Sequence, residues 1–422
     1  MAKVNMFSQY KGLSKSAYVL FIARMVTNMG AFIWPMLTLI LSVKLGYSKS
    51  EIAYLFLIIS LIFLPATIIA GKIADKFNKK KIIIVFDIIS VCFFIAAALV
   101  EPGTPMLIFF ITAGLFATME GPAHEAIVIE STLPKERERV YSLNYLGHNI
   151  GFIVGAALGG FLITNYLSLA FVIDGITTLM STLLIVLYVK AINIKEIKAE
   201  DKNVYEDSAG KKDTGFNIMK NRKPILLQII IIMITAFIYD QWAFILPLQM
   251  ADIFGEVNGP LFFGFVASFN GFVVIIATPI ITYLLRKFYE IPKIIVGTLL
   301  YSVCFFLLIG AEQLPIFFIF IFIFTLGEII NTIGMGPYFS RRIPSSHRGR
   351  INSYRNISAF TGTIVGKLMI GILIDDYGFK TAYATIVGFG VIAVILTLLN
   401  YIIDKKTFPK LYTEDINKSD FQ

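Results

Sequence analysis

Charge is scarce in this chain. Asp, Glu, Lys and Arg make up 15% of its 422 residues, whereas a soluble domain carries about 25%. Cysteine is nearly absent: Cys92 and Cys304 each sit inside an apolar run and read as core thiols rather than a disulfide or a metal pair. Three histidines cannot build a metal site without carboxylate help. No GxxxxGK[ST], GxSxG or HExxH stretch occurs, so ATP drive and the matching hydrolytic chemistries lack support. The chain is therefore not expected to be an enzyme, and neither a metal nor an organic cofactor is expected. Met1 to Lys15 is polar and basic, without a short apolar core before a small-residue cleavage site, so no cleavable signal peptide is expected.

Apolar side chains are what the chain has in excess. They account for 57% of it, about 240 residues, and mean hydropathy is +0.76. A bilayer-spanning helix takes roughly 20 residues, so this stock fills about twelve spans. A soluble enzyme and a disordered chain are excluded. The long unbroken runs also argue against a transmembrane β-barrel, which needs short alternating segments.

Apolar runs between charged or Gly/Pro breaks predict helices over 17–42, 50–71, 82–100, 105–129, 141–164, 168–190, 225–249, 260–285, 293–311, 314–338, 352–374 and 379–403. The even count places both termini on one side. Loops on that side hold Lys72, Lys76, Lys79–Lys81, Lys135, Arg137, Arg139, the Lys-rich 190–223, Arg286, Lys287, Lys293, Arg341, Arg342, Arg348 and Arg350. Opposite loops hold only Lys44, Lys49 and Lys380. Positive residues stay cytoplasmic, so both termini are predicted inside a multi-pass plasma-membrane protein. This placement accounts for the net charge of +9 without nucleic acid. The longest polar stretch, 191–223, reads as a cytoplasmic linker between six-helix bundles at 1–190 and 224–422. The last part of the second is a short cytoplasmic tail.

An internal repeat supports that division. At an offset of 211 residues, RVYSLNYLGHNIGFIVGAALGGFLI (139–163) lies over RINSYRNISAFTGTIVGKLMIGILI (350–374). Arg139 meets Arg350, Ser142 meets Ser353, and Gly151, Gly155 and Gly160 meet Gly362, Gly366 and Gly371. The same offset lays 71–81 over 282–292. A parallel duplication that handles substrate near the bilayer midplane is a transporter architecture.

Gly71-Lys-Ile-Ala-Asp75-Lys76-Phe-Asn78-Lys79-Lys80 resembles the signature loop of the major facilitator superfamily. In this reading Asn78 replaces a glycine at a positive-φ turn, and Asp75 faces a helix N-terminus or a basic partner, latching the halves. Gly147, Gly151, Gly155, Gly159 and Gly160 resemble the second signature, found chiefly in drug/proton antiporters, although Ala156 stands where that pattern has proline. Small residues at this spacing let helix backbones approach closely, as they also do in importers. Phe324-Thr-Leu-Gly327-Glu328 and Tyr239-Asp240-Gln-Trp242 with Leu246-Pro247 look like segments of the proton-coupled multidrug antiporter branch. Asn144, with Tyr145 and Asn149, stands where that branch often has aspartate. The resemblance implies an all-α fold of twelve transmembrane helices in two pseudo-symmetric bundles.

Ionisable residues inside spans cost about 2.5–3.5 kcal/mol each at a helix centre and mark function. Asp240 and Glu328, each about 15 residues into its span, sit near mid-membrane and are the leading candidates for proton coupling. Glu120 and His124 share a helix face, with Glu125 one step round. Together they form a possible relay, or a charge-balancing group paired with Arg24 or His148. Lys367 lies too deep to snorkel; it pairs with Asp240 or Glu328, or binds an anionic substrate. Arg24, Asn144, Asn149, Trp242 and Lys367 are the candidate cavity residues, although an interfacial belt is the default for Trp34 and Trp242, and pairing with the fourth span is the plain expectation for Arg24. Asp87 and Asp174 read as structural residues nearer helix ends. The expected activity is proton-gradient-driven export of small amphipathic or drug-like compounds by a monomer. The rivals are an anionic metabolite or lipid-like cargo and, remotely, a non-transporting membrane receptor.

Overall fold

The structure, a computed structural model, describes residues 10–133, 136–190, 215–344 and 347–412. All regular structure among them is helical. Local chemistry sets several of the starts. The Ser14 side chain caps α1 (Lys15–Gly30) by accepting from Ala17 N at 3.2 Å. Ser48 and Glu51 form a reciprocal capping box at the head of α3 (Lys49–Lys76), with Ser48 N donating to Glu51 Oε2 at 2.8 Å. Asn78 Oδ1 accepts from Lys81 N at 3.2 Å and caps α4 (Lys79–Ala98).

Between α1 and α3 lies a short α2 (Leu37–Leu39) that runs into a π turn at Ile40–Lys44. Next come α5 (Thr104–Glu130), α6 (Arg137–Asn165), α7 (Leu167–Tyr188), α8 (Gly215–Asn221), α9 (Lys223–Tyr239), α10 (Gln241–Leu285), α11 (Glu290–Phe306), α12 (Leu314–Arg342) and α13 (Arg348–Thr407). Two of these helices turn on a glycine. Gly255 in α10 has φ 81° and Gly378 in α13 has φ 78°, a left-handed conformation that glycine adopts without steric penalty. α13 thereby supplies two spans in series, and α10 the second part of the seventh span followed by the eighth. Among the described residues, eight helical runs are long and apolar enough to cross a membrane, two of them double. With the broken first segment and the 17-residue α11, this is the expected twelve-span, all-α membrane architecture. Large apolar side chains such as Leu61, Ile68, Leu183 and Ile402 are exposed, as a lipid-facing surface requires.

Two spans expected to be continuous are interrupted. The first stops at Gly30 and restarts at Leu37. The seventh stops at Tyr239 and restarts at Gln241, with Asp240 at the joint (φ −73°, ψ −10°). At the 211-residue offset the points where the two helices stop coincide to within two residues, while the first span restarts later, at Leu37, than the seventh, at Gln241. The repeat also preserves an ion pair while exchanging its signs. Lys79 meets Glu130 at 3.3 Å, and the equivalent positions carry Glu290 and Arg341 at 2.8 Å. The duplication thus extends from sequence to backbone breaks and paired positions.

The described residues of Met1–Lys198 and Leu246–Ile275 form one compact unit, and those of Ala199–Ile245 and Ile276–Gln422 a second. In the first, α1 packs on α6 and α7, and α5 on α3 and α4, around Ala17, Leu20, Ala23, Ile83, Ala123 and Val140. Residues 260–271 belong here because small side chains let them meet α6: a Cβ on Gly160 would lie 2.6 Å from Pro260 O, and Ser268 Oγ donates to Ile153 O at 2.8 Å. The expected linker lies outside the described residues for 191–214; α8 and the start of α9 occupy its remainder. Lys135 and the tail 413–422 also lie outside, as does the Arg348 side chain.

In the second unit α9 packs on α13 and α11 on α12, with Ile225, Ile229, Ile294, Tyr338 and Ile351 in the core. One end is closed by a buried polar network. Arg342 Nε and Nη2 donate to Asp404 at 2.8 and 2.7 Å, and Nη1 donates to Glu290 at 3.3 Å. Arg342 and Asp404 are both 0% exposed. Arg342 was expected in a solvated basic loop and is instead the pivot of this network. Its buried guanidinium is held by Asp404 and Glu290 and also donates to Tyr338 O at 3.2 Å. Tyr412 donates to the same carboxylate; burial first, then Asp404, pushes its hydroxyl pKa up.

Candidate functional site

The glycine stripe on α6 sets the geometry of the first unit. A Cβ on Gly147 would lie 2.8 Å from Phe21 O, one on Gly155 would lie 2.6 Å from Asn28 O, and one on Gly151 would collide with Met25 O. Backbone carbonyls cannot yield as a flexible side chain can, so only glycine lets α6 rest on α1 this closely. Gly159 continues the stripe against Phe32, while Gly160 turns to residues 260–264. Asn144 and His148, adjacent to this stripe, are thereby held beside Arg24.

They share a cavity of about 300 Å³ lined by Arg24, His124, Glu125, Val128, Tyr141, Asn144, Tyr145 and His148. Four residues singled out in the sequence, Arg24, His124, Glu125 and Asn144, converge here. Asn149 does not: it is buried, and its amide donates to Tyr145 O of its own helix at 2.8 Å. The acids are engaged within the unit. Glu120 Oε1 lies 3.3 Å from His124 Nδ1, and Glu125 lies beside the Tyr141 hydroxyl and acts on it electrostatically. Neither expected pairing, of Arg24 with the fourth span or of His148 with a glutamate, is present among the described residues.

Asp87 belongs beside this group. Thr182 donates to its carboxylate, and Glu120 and His124 both act on it electrostatically. It lies mid-helix in α4 and is 8% exposed, not near a helix end. Asp174 is 3% exposed within α7, and its Oδ2 has no hydrogen-bond partner. A single acid inside the apolar run Ile82–Phe94 is the signal the sequence holds for Asp87, there read as a structural residue nearer a helix end.

In the second unit the repeat-equivalent glycines act in the same way. Gly362 lies against Met233 of α9 and Gly366 against Phe237 and Gln241. Lys367, next along α13, therefore faces the joint between α9 and α10, where its Nζ is 2.8 Å from Asp240 Oδ2. The preceding residue, Tyr239, donates its hydroxyl to Glu328 Oε1 at 3.0 Å. One helix break thus carries both a lysine–aspartate pair and a tyrosine–glutamate bond. Trp242 packs on Phe324 with ring centroids 6.1 Å apart. Trp34 sits against Phe110 and Phe63, so neither indole stands alone at an interface.

The signature segment is arranged differently from expectation. Gly71, Asp75 and Lys76 belong to helix α3, and the connection is only Phe77 and Asn78. Asn78 has φ −64° and acts as a helix cap; no non-glycine residue described has positive φ. Lys79 pairs with Glu130, Lys80 donates to Val186 O at 2.8 Å, and Asp75 is exposed.

Twelve apolar spans in duplicated halves, with ionisable side chains held at mid-span, define a polytopic membrane transporter. The Major Facilitator Superfamily model matches residues 19–311 and 244–414, and the chain belongs to that superfamily. It is 21% identical to the MFS-type transporter YttB of Bacillus subtilis, over 92% of this chain and 95% of that protein. It is 22% identical to a Na(+), Li(+), K(+)/H(+) antiporter of Planococcus maritimus, over 89% and 93%. A shorter match, 28% identical over 35% of this chain and 37% of the relative, is to multidrug resistance protein MdtH of Proteus mirabilis. Among solved structures, a POT family transporter in complex with 5-aminolevulinic acid superposes with a TM-score of 0.74 at 14% identity, covering 94% of this chain and 98% of that one. The nucleoside transporter NupG gives 0.72 at 15% identity, covering 92% and 100%. At these identities the structural likeness speaks for the fold alone.

Proposed function

We propose that this protein is a proton-coupled secondary transporter that exports small amphipathic compounds by alternating access, as a monomer in the plasma membrane with both termini cytoplasmic. The observation that carries the reading is the Lys367–Asp240 pair at the break in the seventh span, joined through Tyr239 to Glu328. An unpaired charge at this depth is costly. A proton delivered to Asp240 cancels one member of the pair and forces Lys367 to find a new partner, which links protonation to rearrangement of the helix break. Glu328, held by a neutral phenol, is the second carboxylate able to exchange a proton along that path. The basic loops support the orientation. The Planococcus maritimus relative, matched over nearly its whole length, supports cation/proton exchange; the shorter match to MdtH supports a drug-like cargo.

The test is uptake of a radiolabelled compound, chosen from a thermal-shift screen, into proteoliposomes with and without an imposed pH gradient. Gradient-dependent accumulation that Glu328→Gln abolishes supports the reading. Equal accumulation after the gradient is collapsed refutes proton coupling. The rival cargo class, an organic anion, is favoured by Arg24, which lines the first unit's cavity.

A further inference from the structure

The cavity in the first unit is lined by one guanidinium, Arg24, and one carboxylate, Glu125, and the two form no ion pair with each other. Arg24 lies mid-way along α1 and half-buried, and its guanidinium makes no hydrogen bond or ion pair among the described residues. The nearby acids make their contacts with other groups: Glu120 lies 3.3 Å from His124, Asp87 accepts from Thr182, and Glu125 lies beside the Tyr141 hydroxyl. Two further polar atoms of cavity-lining residues, Asn144 Oδ1 and His148 Nδ1, are buried with no partner among the described residues. Buried polar groups are normally satisfied, and an unsatisfied cluster calls for an explanation. Here Asn144 and His148 stand on α6 and the half-buried Arg24 on α1, and the glycine stripe holds the two helix backbones together.

We infer that this cavity binds a small organic oxyanion, with the Arg24 guanidinium as its principal contact. A guanidinium offers a planar fork of donors matched to carboxylate or phosphoryl oxygens. A neutral imidazole can carry its proton on Nδ1 and so donate from His148. The Asn144 amide is interchangeable end for end and can also turn its NH2 inward. Val128 and Tyr145 supply the apolar remainder of the lining, which suits an aromatic or short aliphatic body. An organic cation would meet Arg24 head-on. The inference deepens the transporter reading by naming the cargo's head group, and it rests on that reading only for the cargo being moved.

The test measures equilibrium binding to the full chain in phosphatidylcholine nanodiscs, with no gradient. Four probes share one ring: phenylacetate, phenylphosphonate, phenethylamine and phenethyl alcohol. The two anions are expected to bind at least about tenfold tighter than the amine or alcohol, the scale of one charge-assisted contact. Arg24→Gln removes that advantage, and Arg24→Lys restores part of it. Should Arg24→Gln not fold, His148→Leu serves instead, weakening the anions while leaving the amine unchanged. Equal binding of amine and anion to the wild type, or undiminished anion binding by Arg24→Gln or by His148→Leu, overturns the assignment. Repeating the titration with phosphatidylglycerol in the discs separates the sources of the oxyanion: competition assigns Arg24 to a lipid head group, and an unchanged affinity assigns it to a soluble anion. Binding that survives Asp240→Asn while flux is lost separates this inference from proton coupling.

Discussion

Neutralising Lys367 and Asp240 one at a time and then together measures whether the pair works as a unit. The two side chains are 15% and 25% exposed and 2.8 Å apart. Removing one partner of a fully buried pair costs about 3–5 kcal/mol, because the other charge is left behind. With this partial exposure the expected cost of Lys367→Met or Asp240→Asn alone is about 2–3 kcal/mol. A unit of this size shifts by about 2–4 °C per kcal/mol, so each single variant melts roughly 4–12 °C below wild type. The double variant carries no stranded charge and should cost no more than about 1 kcal/mol, so it falls short of the summed single losses, about 4–6 kcal/mol, by about 3–5 kcal/mol. The assay is thermal unfolding in detergent followed by monodisperse elution, with transport measured on the same samples. The double variant is expected to be stable yet uncoupled. Losses that simply add in the double variant would refute the pairing argument.

Three further outcomes follow from the packing. Gly151→Ala places a Cβ against Met25 O and should destabilise by about 1–3 kcal/mol, whereas Gly71→Ala, whose Cβ meets nothing within 4 Å, should be neutral or mildly stabilising in a melting assay. Arg342→Met strands Asp404, while Glu290 keeps Arg341 at 2.8 Å, and should cost about 3–5 kcal/mol, read as lost monodisperse yield and a lower melting temperature; Arg342→Met with Asp404→Asn should restore much of it. Because Tyr412 has a folded pKa raised above its unfolded value of about 10, its contribution is intact below that pH and is lost as pH rises beyond it. Melting temperature should fall more steeply above about pH 10 in the wild type than in Tyr412→Phe.

The number of spans and their approximate ends were legible because each is an apolar run of bilayer length between polar breaks. The interruptions were not, since hydrophobicity continues through Phe32-Ile33-Trp34 and across Asp240; only Gly30 and Pro35 hinted at the first. The Lys367–Asp240 pairing was legible as one of two options, because a lone lysine at mid-span needs an acid. Arg342 was misread because its neighbours Arg341 and Arg350 fit a basic loop. Its burial depends on Asp404, 62 positions further on, and no local pattern encodes that. Asn78 fitted a positive-φ turn by analogy with glycine, yet the same side chain is equally suited to cap a helix, and the start of α4 immediately after it selects that role. Arg24, Asn144 and His148 were visible singly. Their convergence required knowing that the glycine stripe of α6 lies on α1.

The claim of proton coupling through Asp240 and Glu328 is tested most directly by recording proton movement itself. Purified protein in liposomes loaded with a pH-sensitive dye is exposed to an outward gradient of a binding compound. The account predicts a substrate-triggered proton flux in the wild type that disappears in Asp240→Asn and Glu328→Gln while both variants still bind the compound. Substrate flux with no accompanying proton movement, or an undiminished proton signal in both variants, would contradict it.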